Sequence, residues 1–265
     1  MKTLLSLSAL LITLTLTAQS NTATWYLNDT SGNGIQSSTS LASGNYSTAM
    51  GYETTASGVV STAMGYATTA SGDSSTAMGE GTTASGHNST AMGQYTYARG
   101  VFSIAMGEST NASGTNSTAM GQSTVAFGNV STSMGSNTRA IGNLSTSMGA
   151  FTIASGVAST AMGLETTASD ISSLVIGQHN LLGSTVTNSA TEFSLENTAF
   201  VIGNGTDENN KSDALTVLFD GTTTIAGDLS LNSDARLKAN IISLGSTLAK
   251  LLQIDGKTYT MKKDE

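Results

Sequence analysis

The chain has 265 residues and a formal charge of −8, with no proline, no cysteine, and only 11% charged and 5% aromatic residues. The acidic balance argues against nucleic acid or an anionic membrane as a partner, because both call for a basic surface. Without cysteine there is no disulfide and no thiolate metal site, and so few aromatic residues do not build a conventional globular core.

Residues 1–18 read as a secretory signal peptide. Lys2 supplies the positive start, residues 4–16 an apolar run, and Leu16-Thr17-Ala18 a small-residue cleavage site before Gln19. The run is shorter than the roughly 20 residues that span a bilayer, so the mature chain is expected to carry no transmembrane segment. The expected location is extracellular or on a bacterial cell surface. Residues 19–40 lack periodic glycine and hold the only tryptophan, in Thr24-Trp25-Tyr26-Leu27. This segment is expected to be a strand that caps the first repeat.

Residues 41–183 read as the head repeats, in which from Leu41 to Gly177 a glycine returns every seventh position, as in Gly44, Gly51, Gly58, Gly65 and Gly72, and only Asp170 breaks the series. Aspartate tolerates left-handed backbone angles, which fits a series of turn glycines. Two heptads alternate, one ending Ser47-Thr48-Ala49-Met50-Gly51 and the next Thr54-Thr55-Ala56-Ser57-Gly58, so the repeating unit is 14 residues. Helical repeats need roughly 33 to 47 residues. Fourteen residues instead make one coil of a β-solenoid, with two short strands and two turns. Coils stack about 4.8 Å apart, so ten would form a rod on the order of 50 Å long.

Alternation along a strand assigns the faces. Ser47, Ala49 and Gly51 point inward, and Thr48 and Met50 outward. Alanine recurs two residues before nearly every periodic glycine, with Ser133 and Ser147 as small substitutes, so the interior is very narrow. Met50, Met64, Met78, Met92, Met106, Met120, Met134, Met148 and Met162 then form a ladder on the outer face, with Ile176 in the same register. Such a ladder exceeds the roughly 300–600 Å² apolar patch of a typical soluble monomer. The periodicity therefore implies self-association through the Met face. Paired threonines (Thr54/Thr55, Thr68/Thr69, Thr82/Thr83) also suggest a flat ligand- or ice-binding face, but the columns fade at Glu108-Ser109-Thr110 and Ser136-Asn137-Thr138.

The repeat resembles the head of the YadA-like trimeric autotransporter adhesins, whose motif runs Asn-Ser-Val-Ala-Ile-Gly and then Ser-x-Ala-x-Gly. Asn88-Ser89-Thr90-Ala91-Met92-Gly93 and Asn116-Ser117-Thr118-Ala119-Met120-Gly121 match its first half, and Thr110-Asn111-Ala112-Ser113-Gly114 its second. Thr replaces Val and Met replaces Ile, both on one face. The resemblance implies an all-β, left-handed parallel β-roll and a homotrimer with the Met ladder along its axis.

Residues 184–231 are expected to form a terminal coil and a β-rich neck. Phe200-Val201-Ile202-Gly203 repeats the coil pattern once after an insertion. Ala214-Leu215-Thr216-Val217-Leu218-Phe219 and Thr222-Thr223-Thr224-Ile225-Ala226 flank Asp220-Gly221, a hairpin-type turn. Residues 232–265 carry six of the ten Lys and Arg residues. Ser233-Asp234-Ala235-Arg236-Leu237-Lys238 resembles the start of the intramolecular chaperone that ends phage tail spikes and endosialidases. That resemblance implies a trimerising segment, expected here as a truncated α+β remnant, and a chain cut between Asn232 and Ser233. Ser233 would be the nucleophile, with Asp234, Arg236 and Lys238 assisting, since a serine needs a neighbouring base or cation.

Substrate-directed chemistry is not expected. His87 and His179 read as exposed turn residues, the acidic residues Glu53, Asp73, Glu80, Glu108 and Glu165 as sporadic, and the glycines match no nucleotide-binding motif. No cofactor or metal is implied. The expected function is a fibre or adhesin head attaching to a host, matrix or cell-surface ligand. The alternative is a self-processing, tail-fibre-like protein, although a signal peptide is out of place on a virion part.

Overall fold

The computed structural model describes residues 26–27 and 35–228. The signal peptide, Trp25, Ser233, Asp234, Arg236, Lys238 and the α+β remnant lie outside the described residues. The chain divides into compact units over Met1–Gly227 and Asp228–Glu265, and all the described strands belong to the first.

Each coil has a five-residue strand, such as Thr90–Gln94, and a two-residue strand, such as Tyr97–Ala98. The long strands stack in parallel in one sheet and the short ones in a second, ten-stranded sheet. The result is an all-β parallel solenoid. Pairing is in register with a 14-residue offset along the repeats, as in Met92↔Met106 and Ala98↔Ala112. Ladder bonds continue through the turns, where Thr55 N–H donates to Thr68 O at 2.8 Å and Ser57 N–H to Ala70 O at 2.9 Å.

The interior is alanine, serine and threonine. Ala49, Ala56, Ala63 and their successors are wholly buried, and so is a threonine in each coil, including Thr54, Thr68, Thr82 and Thr96. Threonine inside departs from the purely small interior that alternation predicts. It also removes the paired-threonine face, because Thr54 points in while Thr55 points out. Most of these buried hydroxyls, among them Thr96 and Thr110, have no hydrogen-bond partner among the described residues. Two coils differ. Where serine replaces alanine, Ser133 Oγ lies 2.7 Å from Thr138 Oγ1 and Ser147 Oγ 2.7 Å from Thr152 Oγ1. These serines supply the missing partner and interrupt the alanine core, which falls into one cluster ending at Ala126 and another beginning at Ala154.

Glycine serves a different purpose from the turn role its spacing suggests. In the column of Gly107 the backbone has φ near 116°, and this glycine is exposed, not inward-facing. In the alternate column φ is not positive, yet a Cβ on Gly114 would run into the carbonyl of Gly128 in the next coil. The left-handed turn positions belong mostly to other residues, such as Val60, Tyr95, Phe102 and Phe151. There the ladder holds the strained backbone, as when Val60 N–H donates to Asn45 O at 2.8 Å.

Asp170 does not take a positive φ either. It replaces glycine because the stack changes above it. Its carboxylate accepts the N–H groups of Ser184 at 2.9 Å and Thr198 at 2.8 Å, where another coil would otherwise sit. Burial pushes this carboxyl up, but hydrogen bonds from Ser184, Ser189 and Thr198 outweigh burial and hold it below the usual carboxylate range.

Both sheets change character at their ends. Tyr26–Leu27 pairs antiparallel with Ile35–Gln36, which begins the parallel stack. At the far end Thr198–Asn204 adds in parallel to Leu174–Gln178. Asp213–Leu218 and Thr223–Ile225 then follow as antiparallel strands around the turn at Gly221. The short-strand sheet ends on side-chain amides. Gln36 Oε1 accepts Ala42 N–H at 2.9 Å at one edge, and Asn180 pairs with both Thr167 N–H (2.7 Å) and Thr167 O (3.0 Å) at the other. A buried amide here stands in for the peptide group of an absent coil.

The interior hydroxyls yield a paired prediction. Thr96→Val removes an unpartnered buried hydroxyl and should leave thermal stability unchanged or higher. Thr138→Val strands the Ser133 hydroxyl and should cost about 1–3 kcal/mol. Thermal melts followed by circular dichroism check both, and equal losses in the two variants would refute the assignment.

Candidate interaction surface

The outer face of the long-strand sheet carries the Met ladder. Met50, Met64, Met78, Met92, Met106, Met120, Met134, Met148 and Met162 are direct register neighbours, followed by Ile176 and Ile202. Each is half-buried, because stacked side chains shield one another while the face as a whole is uncovered by the described residues. Thr48, Thr62 and Thr76 form a parallel column beside it.

At the end of the same strands runs a column whose composition changes along the rod. Tyr52 and Tyr66 stack with ring centroids 5.6 Å apart and planes within 6°. Next come Glu80, Gln94, Glu108 and Gln122 in register. Gln94 Nε2 donates to Glu80 at 2.9 Å and Gln122 Nε2 to Glu108 at 3.1 Å. The acidic residues are thus not merely sporadic, since Glu80 and Glu108 share one column spaced by an amide. Glu80 also accepts from Tyr95 Oη at 3.3 Å and raises that phenol's pKa.

The opposite wall is the outer face of the short strands. Arg99 lies 4.4 Å from the Tyr97 ring centroid and donates to Asn111 Oδ1 at 2.9 Å. His87 is exposed, with Phe102 edge-on at 6.5 Å. His179 is not the exposed residue its turn position suggests. It is 7% exposed, with Nδ1 3.2 Å from Glu165 Oε2, because the chain folds back over it and Ser212 N–H donates to its carbonyl. Among the described residues no group of three acidic, histidine or cysteine side chains could hold a metal ion.

The described residues thus form a parallel β-solenoid of 14-residue coils with one uncovered apolar wall. The model of the YadA head domain repeat matches in eight windows that together cover residues 42–138 and 140–180. The chain belongs to that family. A second model, described as chaperone of endosialidase, matches residues 233–265, which include Ser233, Asp234, Arg236 and Lys238. No curated protein matches the chain.

The acid–amide column is open to test. Gln94→Glu would place three carboxylates in adjacent coils, and like charges directly opposite one another destabilise a sheet. The melting temperature should fall at low salt and recover towards that of the parent in about 1 M salt, where the screening length is about 3 Å. A salt-independent loss would point to lost packing instead.

Proposed function

We propose that this chain is the head of an exported homotrimeric fibre that attaches to a host, matrix or cell-surface ligand. The supporting observation is the unbroken ladder from Met50 to Ile176 on a wall that no other described part of the chain covers. Three such walls meeting on a common axis would bury every Met, leaving the short-strand walls as the lateral surface. YadA-like heads are homotrimers in general, and the membership of this chain makes a threefold assembly the natural way to cover the face. Export rests on the signal-peptide character of residues 1–18, and attachment on the family's adhesive role. Trimerisation multiplies weak lateral contacts into avidity.

Light scattering on the exported chain should give three times the single-chain mass. Met106→Glu should reduce it to one, since three unpaired carboxylates would share one level of the axis. Circular dichroism should still report the solenoid, and retention on cell or matrix surfaces should be lost with the trimer. A parent chain with single-chain mass would overturn the proposal.

The match at residues 233–265 supports a second role, in which the C-terminal segment trimerises the fibre and cuts the chain between Asn232 and Ser233. Ser233 would attack the preceding carbonyl, with Asp234, Arg236 and Lys238 assisting. Ser233→Ala should then abolish a fragment of about 33 residues seen by mass spectrometry. The same fragment from both proteins removes Ser233 from the chemistry.

A further inference from the structure

The loop after Asn204 breaks the regularity of the solenoid flank, where its Glu208 and Lys211 overhang short-strand residues such as Arg139 and Ile153. This loop is braced. The Asp207 carboxylate accepts the N–H groups of Asn209 and Asn210 and the Asn210 amide, at 2.8 to 3.0 Å. Gln178 Nε2 donates to Gly205 O at 2.9 Å, and Ser212 N–H to His179 O at 3.1 Å. Below the overhang lies a groove of about 480 Å³. That is within the roughly 300–1,000 Å³ typical of small-ligand sites.

Four charged residues line it: Arg139 and Lys211, Glu165 and Glu208. None forms an ion pair with another; the one ion pair among the described residues joins Glu165 to His179. The contrast with Arg99 is informative. That guanidinium is committed to Tyr97 and Asn111, whereas Arg139, also on the short-strand wall, is exposed and its side chain has no hydrogen-bond partner among the described residues. Phe151, 53% exposed, and Ile153 add an apolar floor.

We infer that this groove binds an acidic saccharide unit. The ligand needs a carboxylate for Arg139 and Lys211, hydroxyl donors for Glu165 and Glu208, and an apolar C–H face for Phe151 and Ile153. A hexuronic acid residue combines all three on one ring. A simple anion leaves the carboxylates and the apolar floor unused, and a neutral sugar leaves both cations unpaired. The inference rests on the trimer reading in one respect, that the Met wall faces the axis and the short-strand wall faces outward.

The test is titration calorimetry of the full exported chain with a galacturonic acid disaccharide at low salt. Its neutral galactose counterpart and acetate serve as competitors. The expected result is saturable binding of the uronate, no binding of the neutral sugar and no competition by millimolar acetate. Arg139→Gln and Lys211→Gln should each weaken binding about tenfold or more, as expected for losing a charge-assisted hydrogen bond. Absent saturation, equal uptake of the neutral sugar, displacement by acetate, or an Arg139→Gln variant that binds normally would each overturn the assignment. Light scattering on the same samples separates the two readings. A trimer that does not bind sinks only the groove, and a single chain that binds sinks only the assembly.

Discussion

The spacing between coils governs this molecule. With ladder hydrogen bonds setting about 4.8 Å between successive strands, the carbonyl of each periodic glycine occupies the place where a Cβ of the previous coil would be. Glycine at these positions is therefore a demand of the stack more than of any one turn. In-register stacking also sets every outward side chain against its own counterpart. Met on Met and Tyr52 on Tyr66 gain from that arrangement, while glutamate on glutamate would not, and the column is spaced by Gln94 and Gln122. The rule is severe inside as well, where from residue 41 the buried side chains are alanine, serine and threonine, Asp170 apart, until Val175 and Val201 in the last coils.

A stack that can grow in either direction must also be stopped. Here the long-strand sheet ends in antiparallel strands, which change the edge, and the short-strand sheet ends in the carboxamides of Gln36 and Asn180. The insertion between the last two coils serves the turns in the same way. Ala190 O and Ser189 O accept the N–H groups of Val157 and Ile171, which in earlier coils go to side chains such as Asp73 and Asn129. Exposed ladder edges invite other strands, and at the short-strand sheet the carboxamides of Gln36 and Asn180 occupy those edges.

Much of this was legible in the sequence because a repeat averages out local ambiguity. Nine methionines at one phase identify an outward column, and alanine two residues before each glycine identifies the interior. What failed were the readings that treated one coil in isolation. Thr54 and Thr55 look alike as neighbours, yet the turn between strands sends Thr54 in. Glycine looked like the residue of positive φ throughout, and that holds in the column of Gly107 but not in the column of Gly114, while Val60 and Phe151 take a positive φ because ladder bonds from the preceding coil fix them. Asp170 looked like a tolerated turn variant, and its real role depends on residues 14 and 28 positions further on. The overhang above Arg139 was likewise invisible, since it depends on how an aperiodic loop lies across periodic columns.

The amide caps have a consequence for how such heads vary. Because Gln36 and Asn180 imitate the backbone of a coil instead of contacting its particular side chains, they fit any coil that ends the stack. A 14-residue segment of DNA-encoded sequence can then be duplicated or deleted among the coils before Val157 without redesigning either end, since Val157, Ile171 and Asp170 are the coil residues that hold the insertion and the strand after it. Length becomes a freely adjustable trait, changed by slippage in steps of about 4.8 Å, while the fold, its closure and the chemistry of its two termini stay as they are.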